Sequence, residues 1–157
     1  MSVTLVAHNK NSVWNFVETS YDGPNWNAIT IGASSTATRI VCDFQFEGEP
    51  VNLVITGAFP ESPSKFSSLG TLANQSGVRV TGYELSLSGA MMESATIQGA
   101  NLSLLLSALT STNLNTLKEY YAGNDTFIGS QSSQTGAEDD DGVNGYAGND
   151  TFFGYGN

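Results

Sequence analysis

Two copies of one nine-residue segment decide how this chain folds at its end: Tyr121-Ala-Gly-Asn-Asp-Thr-Phe-Ile-Gly129 and Tyr146-Ala-Gly-Asn-Asp-Thr-Phe-Phe-Gly154. Seven consecutive residues, from Tyr to Phe, are identical, and the closing Gly matches as well. A partial copy, Asp141-Gly-Val-Asn-Gly145, lies between them and keeps the Asp, the apolar residue and the Gly at the same spacing. Internal repeats of this kind predict structural units that stack on one another.

The spacing of the aspartates predicts how these units stack. Asp125 and Asp150 are twenty-five residues apart, and Asp141 lies sixteen residues after the first and nine before the second. Each nine-residue unit is expected to be a tight turn and a very short strand, with two units to a coil. A seven-residue insertion within 130–140 accounts for the longer first interval. Asp125 and Asp150 are therefore predicted to stack on one edge, with Asp141 on the opposite edge.

The repeat resembles the RTX nonapeptide, Gly-Gly-x-Gly-x-Asp-x-U-x, in which U is a large apolar residue. Gly123 and Gly148 take its fourth position, and Asp125 and Asp150 take its sixth. The resemblance covers about residues 120–157, where Tyr or Ser replaces the second glycine of the pattern. It implies a parallel β-roll with an inward apolar side chain in each unit, namely Phe127, Val143 and Phe152.

This resemblance also implies a calcium site at the turns of the roll. Calcium takes six to eight oxygen ligands in flexible geometry, which carboxylates and carbonyls supply. Because so thin a coil buries little apolar surface, the metal is expected to contribute folding free energy directly. The expected metal-ligating residues are Asp125, Asp150, Asp141, Gly123, Gly148, Asn124 and Asn149, with Asp125 and Asp150 sharing an ion.

Charge is unevenly distributed along the chain. The formal net charge is -10, and all five basic residues precede residue 119. Seven of the fifteen acidic residues lie from Glu119 onward, so the tail carries -7 and the preceding part -3. Such a tail repels nucleic acid and anionic membranes, and it needs either full solvation or a cation. Charge alone leaves a solvated acidic tail open as an interpretation, whereas the repeat favours a bound cation.

The first hundred residues alternate apolar and polar side chains with a period of two, which is typical of β-strands. Turn signals rich in Gly and Pro separate the alternating segments. Seven short strands at this spacing predict an antiparallel β-sandwich-like body. The aromatic residues are expected to fill its core, although a ligand-binding platform is the alternative. The predicted strands span 2–7, 12–18, 27–32, 36–46, 51–57, 77–88 and 94–99, and the predicted core contains Trp14, Trp26, Phe44, Phe46 and Phe59.

Residues 101–121 change to helical spacing of leucines, with Asn101 as a candidate N-cap. Two short helices are predicted there, one on either side of residue 111. The chain is therefore predicted to be mainly β, with a sandwich-like body at 1–100, a short helical connector at 101–121 and a calcium-binding parallel β-roll at 122–157.

Few residues in this sequence suit catalysis. His8 is the only histidine and is expected to be exposed or hydrogen-bonded, and the only cysteine, Cys42, is expected to be a buried structural thiol. No nucleophile elbow, phosphate-binding loop or metalloprotease helix is found, so no catalytic residue is assigned and an enzyme is not expected. The longest apolar stretch, 102–109, is too short to cross a membrane, and residues 1–8 do not form a cleavable signal peptide.

Together these features predict a non-catalytic, calcium-binding structural protein located outside the cell or on its surface. The repeat ends one aspartate short of the edge that holds Asp141, so a homo-oligomer or filament formed through calcium is expected. Two alternatives remain open, an accessory module of a larger secreted adhesin or hydrolase and a carbohydrate-binding module. The RTX resemblance implies type I secretion, although no clear C-terminal signal is evident.

Overall fold

A computed structural model describes residues 1–8, 24–110, 114–128 and 146–153. Their seven strands form one mixed sheet in the order β2-β3-β4-β5-β1-β6-β7. The strands are β1 (Ser2–Ala7), β2 (Arg39–Phe46), β3 (Glu49–Ala58), β4 (Arg79–Leu87), β5 (Ala90–Ala100), β6 (Thr126–Ile128) and β7 (Thr151–Phe153).

Strands β2 to β5 form an antiparallel meander, in which each strand pairs with the next one along the chain. The two-residue connection between β2 and β3 consists of Glu47 and Gly48, whose φ angles are 51° and 86°. Positive φ at both central positions is the geometry of a type I′ hairpin turn, whose twist matches that of the flanking strands. The turn signal in the sequence is therefore confirmed at this position.

Strand β1 joins the antiparallel part of the sheet to a parallel part. One of its edges pairs with β5 in antiparallel fashion, so that Val3 lies opposite Ile97. Its other edge pairs in parallel with β6, and β6 in turn pairs in parallel with β7. The N-terminal strand thus separates the meander from the repeat, and the sheet runs without interruption from one to the other.

In the described ranges, three short α-helices accompany the sheet: α1 (Leu69–Ala73), α2 (Leu102–Thr110) and α3 (Leu114–Tyr120). The predicted N-cap is confirmed, because the Asn101 carboxamide oxygen accepts a 2.7 Å hydrogen bond from the Leu104 backbone N–H. Helix α2 buries Leu102, Leu105 and Leu106 completely or almost so. The predicted helical segment therefore does more than connect two parts of the chain, since it supplies part of the hydrophobic core.

The core residues predicted from the sequence are confirmed in part. Trp26 and Phe59 are buried, and Phe44 is partly buried with its ring edge-on to Trp26 at a centroid distance of 5.9 Å. Phe46 also packs partly buried against the core. Cys42 is buried as expected, and desolvation raises the pKa of its thiol to about 12.

Two structural predictions are wrong for the described residues. The sandwich-like body is instead part of one sheet, because a period of two shows which face of a strand is buried but not what covers it. The predicted strand at 27–32 is absent; the chain there forms a 3-10 turn, Trp26–Ala28, followed by irregular backbone. The predicted strand at 12–18 and the core residue Trp14 lie outside the described residues.

Parallel pairing at the repeat agrees with the predicted direction of its strands, but β6 and β7 are three residues each and belong to the common sheet. The two-sided β-roll therefore stays a prediction.

In the described part of the chain, no helix has the length and apolar character needed to cross a membrane.

Candidate functional site: two stacked repeat rungs

The two repeat copies stack on each other in register. We call residues 121–128 the inner rung and residues 146–153 the outer rung. Thr126 pairs with Thr151, and Phe127 pairs with Phe152. The twenty-five-residue register predicted from the aspartates is the one that the structure has, so identical residues lie above one another.

A chain of carboxylate-to-backbone hydrogen bonds connects β1 to both rungs. The Asp125 carboxylate accepts a 2.7 Å hydrogen bond from the Val3 backbone N–H. The Asp150 carboxylate in turn accepts a 2.9 Å hydrogen bond from the Asp125 backbone N–H. Each aspartate therefore satisfies a backbone donor of the preceding layer, and a charged acceptor makes such a bond stronger than one between neutral groups.

The neighbouring asparagines add a hydrogen bond in the opposite sense, because here the inner rung supplies the acceptor. The Asn149 backbone N–H donates to the Asn124 side-chain oxygen at 3.0 Å. The Asn124 backbone carbonyl also accepts a 2.6 Å hydrogen bond from the Ser2 hydroxyl, which joins the inner rung to β1.

Two glycines make the close stacking possible. A Cβ atom added to Gly123 would overlap the carbonyl oxygen of Met1, and one added to Gly148 would overlap the carbonyl oxygen of Gly123. Both overlaps involve backbone atoms, which cannot rotate away as a side chain can. The glycine at this position of the repeat is therefore required by the approach of one layer to the next.

Aromatic rings form a second ladder through the rungs. The Phe127 and Phe152 rings stack with a centroid distance of 5.0 Å and an interplanar angle of 10°. The Tyr121 and Tyr146 rings stack at 6.3 Å and 15°. Such ring pairs contribute about 0.5–1.5 kcal/mol beyond the apolar area they bury.

Asp125 lies in a desolvated position at the centre of this arrangement. Its side chain is 1% exposed, and its Oδ2 atom has no hydrogen-bond partner among the described residues. Desolvation raises the pKa of its carboxyl, and the Asp150 charge adds to this shift, whereas the hydrogen bond from Val3 and the positive charge of the N-terminus oppose it. An uncompensated carboxylate oxygen in such a position would be stabilised by a cation or by a proton.

A second buried acid, Glu93 on β5, was not predicted as a site residue. Its carboxylate accepts a 2.8 Å hydrogen bond from the Tyr83 hydroxyl. Desolvation raises its pKa to about 7, although the Tyr83 hydrogen bond opposes the shift. The sequence does carry a signal for it, because Glu93, Ala95 and Ile97 occupy the inward phase of one alternating strand.

Two neighbouring tyrosines, Tyr120 and Tyr121, lie within electrostatic reach of both acids. Burial raises the pKa of both Tyr120 and Tyr121, and the negative charges of Glu93 and Asp125 add to the shift in each case. The Tyr120 hydroxyl is buried without a hydrogen-bond partner in the described part of the chain. The start of the inner rung therefore lies in a part of the core that holds two buried tyrosines and is influenced by two buried acids.

The described residues fit only part of a calcium site. Asp125 and Asp150 supply stacked carboxylates, and Asp125 Oδ2 is a buried oxygen without a partner. However, the other Asp125 oxygen and the Asn124 oxygens are already bonded to neighbouring layers. Within the described ranges, no group of three or more His, Cys, Asp or Glu residues is placed to hold a metal. Since calcium needs six to eight oxygens, these residues alone do not complete its coordination.

Of the predicted metal-ligating residues, the structure brings together those of the two complete repeat copies. Gly123, Asn124 and Asp125 lie against their counterparts Gly148, Asn149 and Asp150. Asp141 lies outside the described residues, as does the acidic run at 138–140.

Outside the rungs, the structure also describes the only histidine of the sequence. His8 is exposed and its Nε2 lies 2.8 Å from the Ser94 hydroxyl.

Comparison with protein-family models finds no matching family, and neither the curated proteins nor the solved structures yield a match.

Proposed function

We propose that this chain is a non-catalytic structural protein that assembles through the open end of its repeat stack, with calcium as the stabilising ion. The sheet serves as the cap from which the stack begins, and β1 is the layer on which the inner rung rests. Stacks of repeats need a cap at each end, because each unit buries its apolar face only against a neighbour.

The observation that carries this proposal is the difference in exposure between the two rungs. Phe127 is 4% exposed beneath the outer rung, whereas Phe152 is 51% and Phe153 is 48% exposed. Strand β7 is the last of the described strands in the sheet order, so no described strand pairs with the backbone N–H and C=O groups of its outer edge. Exposed sheet edges with apolar side chains recruit further strands. We therefore infer that the outer rung is the assembly surface.

Calcium has two roles in this proposal. It would bind the stacked carboxylates of Asp125 and Asp150, together with oxygens beyond those that the described residues supply. It would also reduce the repulsion between chains that each carry a formal charge of -10. By analogy with extracellular modules, the affinity is expected to be on the order of 10⁻⁴ to 10⁻³ M.

Two alternatives remain open. As an accessory module of a larger adhesin or hydrolase, the chain would have its outer rung covered by further repeats of the same polypeptide. As a carbohydrate-binding module, it would need exposed aromatic rings away from the stack. The exposed large apolar side chains in the described ranges are Met91, Phe152 and Phe153, and the ring of Trp26 is buried.

Light scattering and negative-stain electron microscopy of the full chain across a calcium titration test the assembly. We expect elongated particles that form with calcium and dissociate with chelator. Phe152→Lys should abolish them, whereas Met91→Lys replaces an exposed apolar residue of another strand and should not. A chain that stays monomeric at millimolar calcium would contradict the proposal of self-assembly.

Titration calorimetry tests the calcium site separately. Asp150→Ala should weaken calcium binding more than Asp139→Ala, because Asp150 stacks on Asp125 whereas Asp139 belongs to the predicted insertion. Equal losses in the two variants would mean that the ion does not bind at the stacked aspartates.

A further inference from the structure

We propose that the outer edge of β7 is a sequence-selective binding site for one kind of partner, a parallel strand with the pattern Gly-Asn-Asp-Thr-aromatic. This partner is a further copy of the repeat itself, supplied by another chain. The inference rests on the proposed role of the stack in assembly and adds the chemistry by which the next rung is recognised.

The first recognition element is the exposed backbone of β7. The Thr151 N–H donates to the Asp125 carbonyl at 2.8 Å, so this group points toward the inner rung. Backbone groups of successive residues in a strand point to opposite edges, which places the Phe152 N–H and C=O on the outer edge. A parallel strand can bond to both groups, as the inner rung does with β1.

The second element is a requirement for aspartate in the incoming strand. In each existing layer, an aspartate carboxylate bonds to a backbone N–H of the layer before it: Asp125 to Val3, and Asp150 to Asp125. If a further layer stacks in the same way, its aspartate would accept a hydrogen bond from the backbone N–H of Asp150. An incoming aspartate at the same register position supplies its acceptor, whereas a lysine there supplies none.

The third element is a requirement for glycine two residues before that aspartate. Gly148 lies so close to the carbonyl of Gly123 that a Cβ would overlap it, and Gly123 has the same relation to Met1. A strand stacking on Gly148 in the same way must therefore also approach without a Cβ. Two successive layers already obey this condition, and it excludes most strands of unrelated sequence.

The last element is the exposed face of the aromatic ladder. The inner face of the Phe152 ring stacks on Phe127, and the residue remains 51% exposed. An aromatic residue in the incoming strand would bury Phe152 in the way that Phe152 buries Phe127. A membrane surface fits this site less well, because the chain is strongly acidic and the outer rung itself carries Asp150.

Fluorescence anisotropy of a labelled peptide tests this inference on the full-length protein at concentrations too low for self-assembly. The probe is Tyr-Ala-Gly-Asn-Asp-Thr-Phe-Phe-Gly, which is the sequence of residues 146–154. One control peptide carries Val in place of the Gly that corresponds to Gly148, and the other carries Lys in place of the Asp that corresponds to Asp150. We expect saturable binding of the repeat peptide and binding weaker by about tenfold or more for each control peptide.

Protein variants locate the bound peptide. Phe152→Lys should weaken binding by about tenfold or more, and Met91→Lys should leave it unchanged. Hydrogen exchange on the wild-type protein gives a second readout that needs no variant, since the peptide should slow exchange in 146–153. Equal binding of all three peptides, or full binding by Phe152→Lys, would overturn the inference.

The two proposals can fail separately. Assembly driven by calcium without any peptide binding would overturn this inference and leave the proposed function standing. Selective peptide binding by a chain that never assembles would support the recognition pattern and contradict self-assembly.

Discussion

The inner and outer rungs share seven identical residues, yet they differ in almost every physical property that depends on neighbours. Phe127 is 4% exposed and Phe152 is 51% exposed, and Asp125 is buried where Asp150 is half-buried. The inner rung lies between β1 and β7, whereas among the described strands the outer rung has a neighbour on one side only. Position in the stack therefore sets burial, and each rung is completed by the next.

The largest expected difference comes from removing the stacked phenylalanines one at a time. Phe127→Ala should lower the free energy of unfolding by about 3–5 kcal/mol, as is usual when a buried aromatic residue is truncated. Phe152→Ala should lower it by no more than about 1 kcal/mol, because its ring has one exposed face. Chemical denaturation of both variants under dilute conditions measures the two values. Equal losses would show that the rungs are not packed differently.

The pH dependence of stability should reveal the buried acid Glu93. Burial raises the pKa of Glu93 to about 7 from an ordinary value of 4.5, so the folded chain binds this proton more tightly than the unfolded chain. Its contribution is therefore fully present below pH 4.5 and is lost as pH rises through 7, by up to about 3 kcal/mol.

Glu93→Gln should remove most of this dependence and keep an acceptor for the Tyr83 hydroxyl. Denaturation midpoints between pH 5 and 8 provide the comparison. Burial also raises the pKa of Asp125, so any slope that it contributes has the same sign. An unchanged slope in Glu93→Gln would mean that Glu93 is not the source.

Replacing the aspartates one at a time should again destabilise the two rungs to different extents. Asp125→Ala leaves the buried Val3 N–H without its acceptor, which should cost about 1–3 kcal/mol. Asp150→Ala should cost less, because the N–H that it leaves without an acceptor is that of Asp125, and this hydrogen bond is only partly buried. Asp125→Asn is the matched control, since it keeps an acceptor oxygen and should restore part of the loss. A larger loss in Asp150→Ala than in Asp125→Ala would reverse the proposed order.

Calcium should have the smallest effect on a dissociated chain, and it should act mainly on the outer rung. With a dissociation constant on the order of 10⁻³ M, about 10 mM calcium adds roughly 1.4 kcal/mol to the stability of the state that binds it. Limited proteolysis should show faster cleavage near 146–153 than near 121–128 when chelator is added. Cleavage that is indifferent to calcium in both rungs would argue against a calcium site in the stack.

Local patterns in the sequence predicted much of this molecule, because they report what each segment does by itself. The Glu47-Gly48 turn, the N-cap at Asn101 and the register of Asp150 on Asp125 all follow from short-range chemistry or from the repeat. The buried Cys42 follows from its place in an alternating strand.

Contacts between distant segments were harder to predict. Strand β1 pairs with β6 although their paired residues are 122 positions apart in the sequence. A pairing over such a distance is not indicated by any turn signal between the two strands. A weak signal does exist, since Thr4-Leu5 aligns with Thr126-Phe127 in the structure and has the same polar–apolar order. The sandwich prediction failed for a related reason, because alternation in one strand carries no information about the layer that covers it.

Hydrogen exchange measured separately for 121–128 and 146–153 tests the central claim most directly. In dilute protein with chelator, the inner rung should exchange slowly and the outer rung quickly. In concentrated protein with millimolar calcium, exchange of the outer rung should slow until it approaches that of the inner rung, because a further strand then covers β7. Particles that form while 146–153 still exchanges at its dilute rate would contradict the account, since assembly would then use another surface.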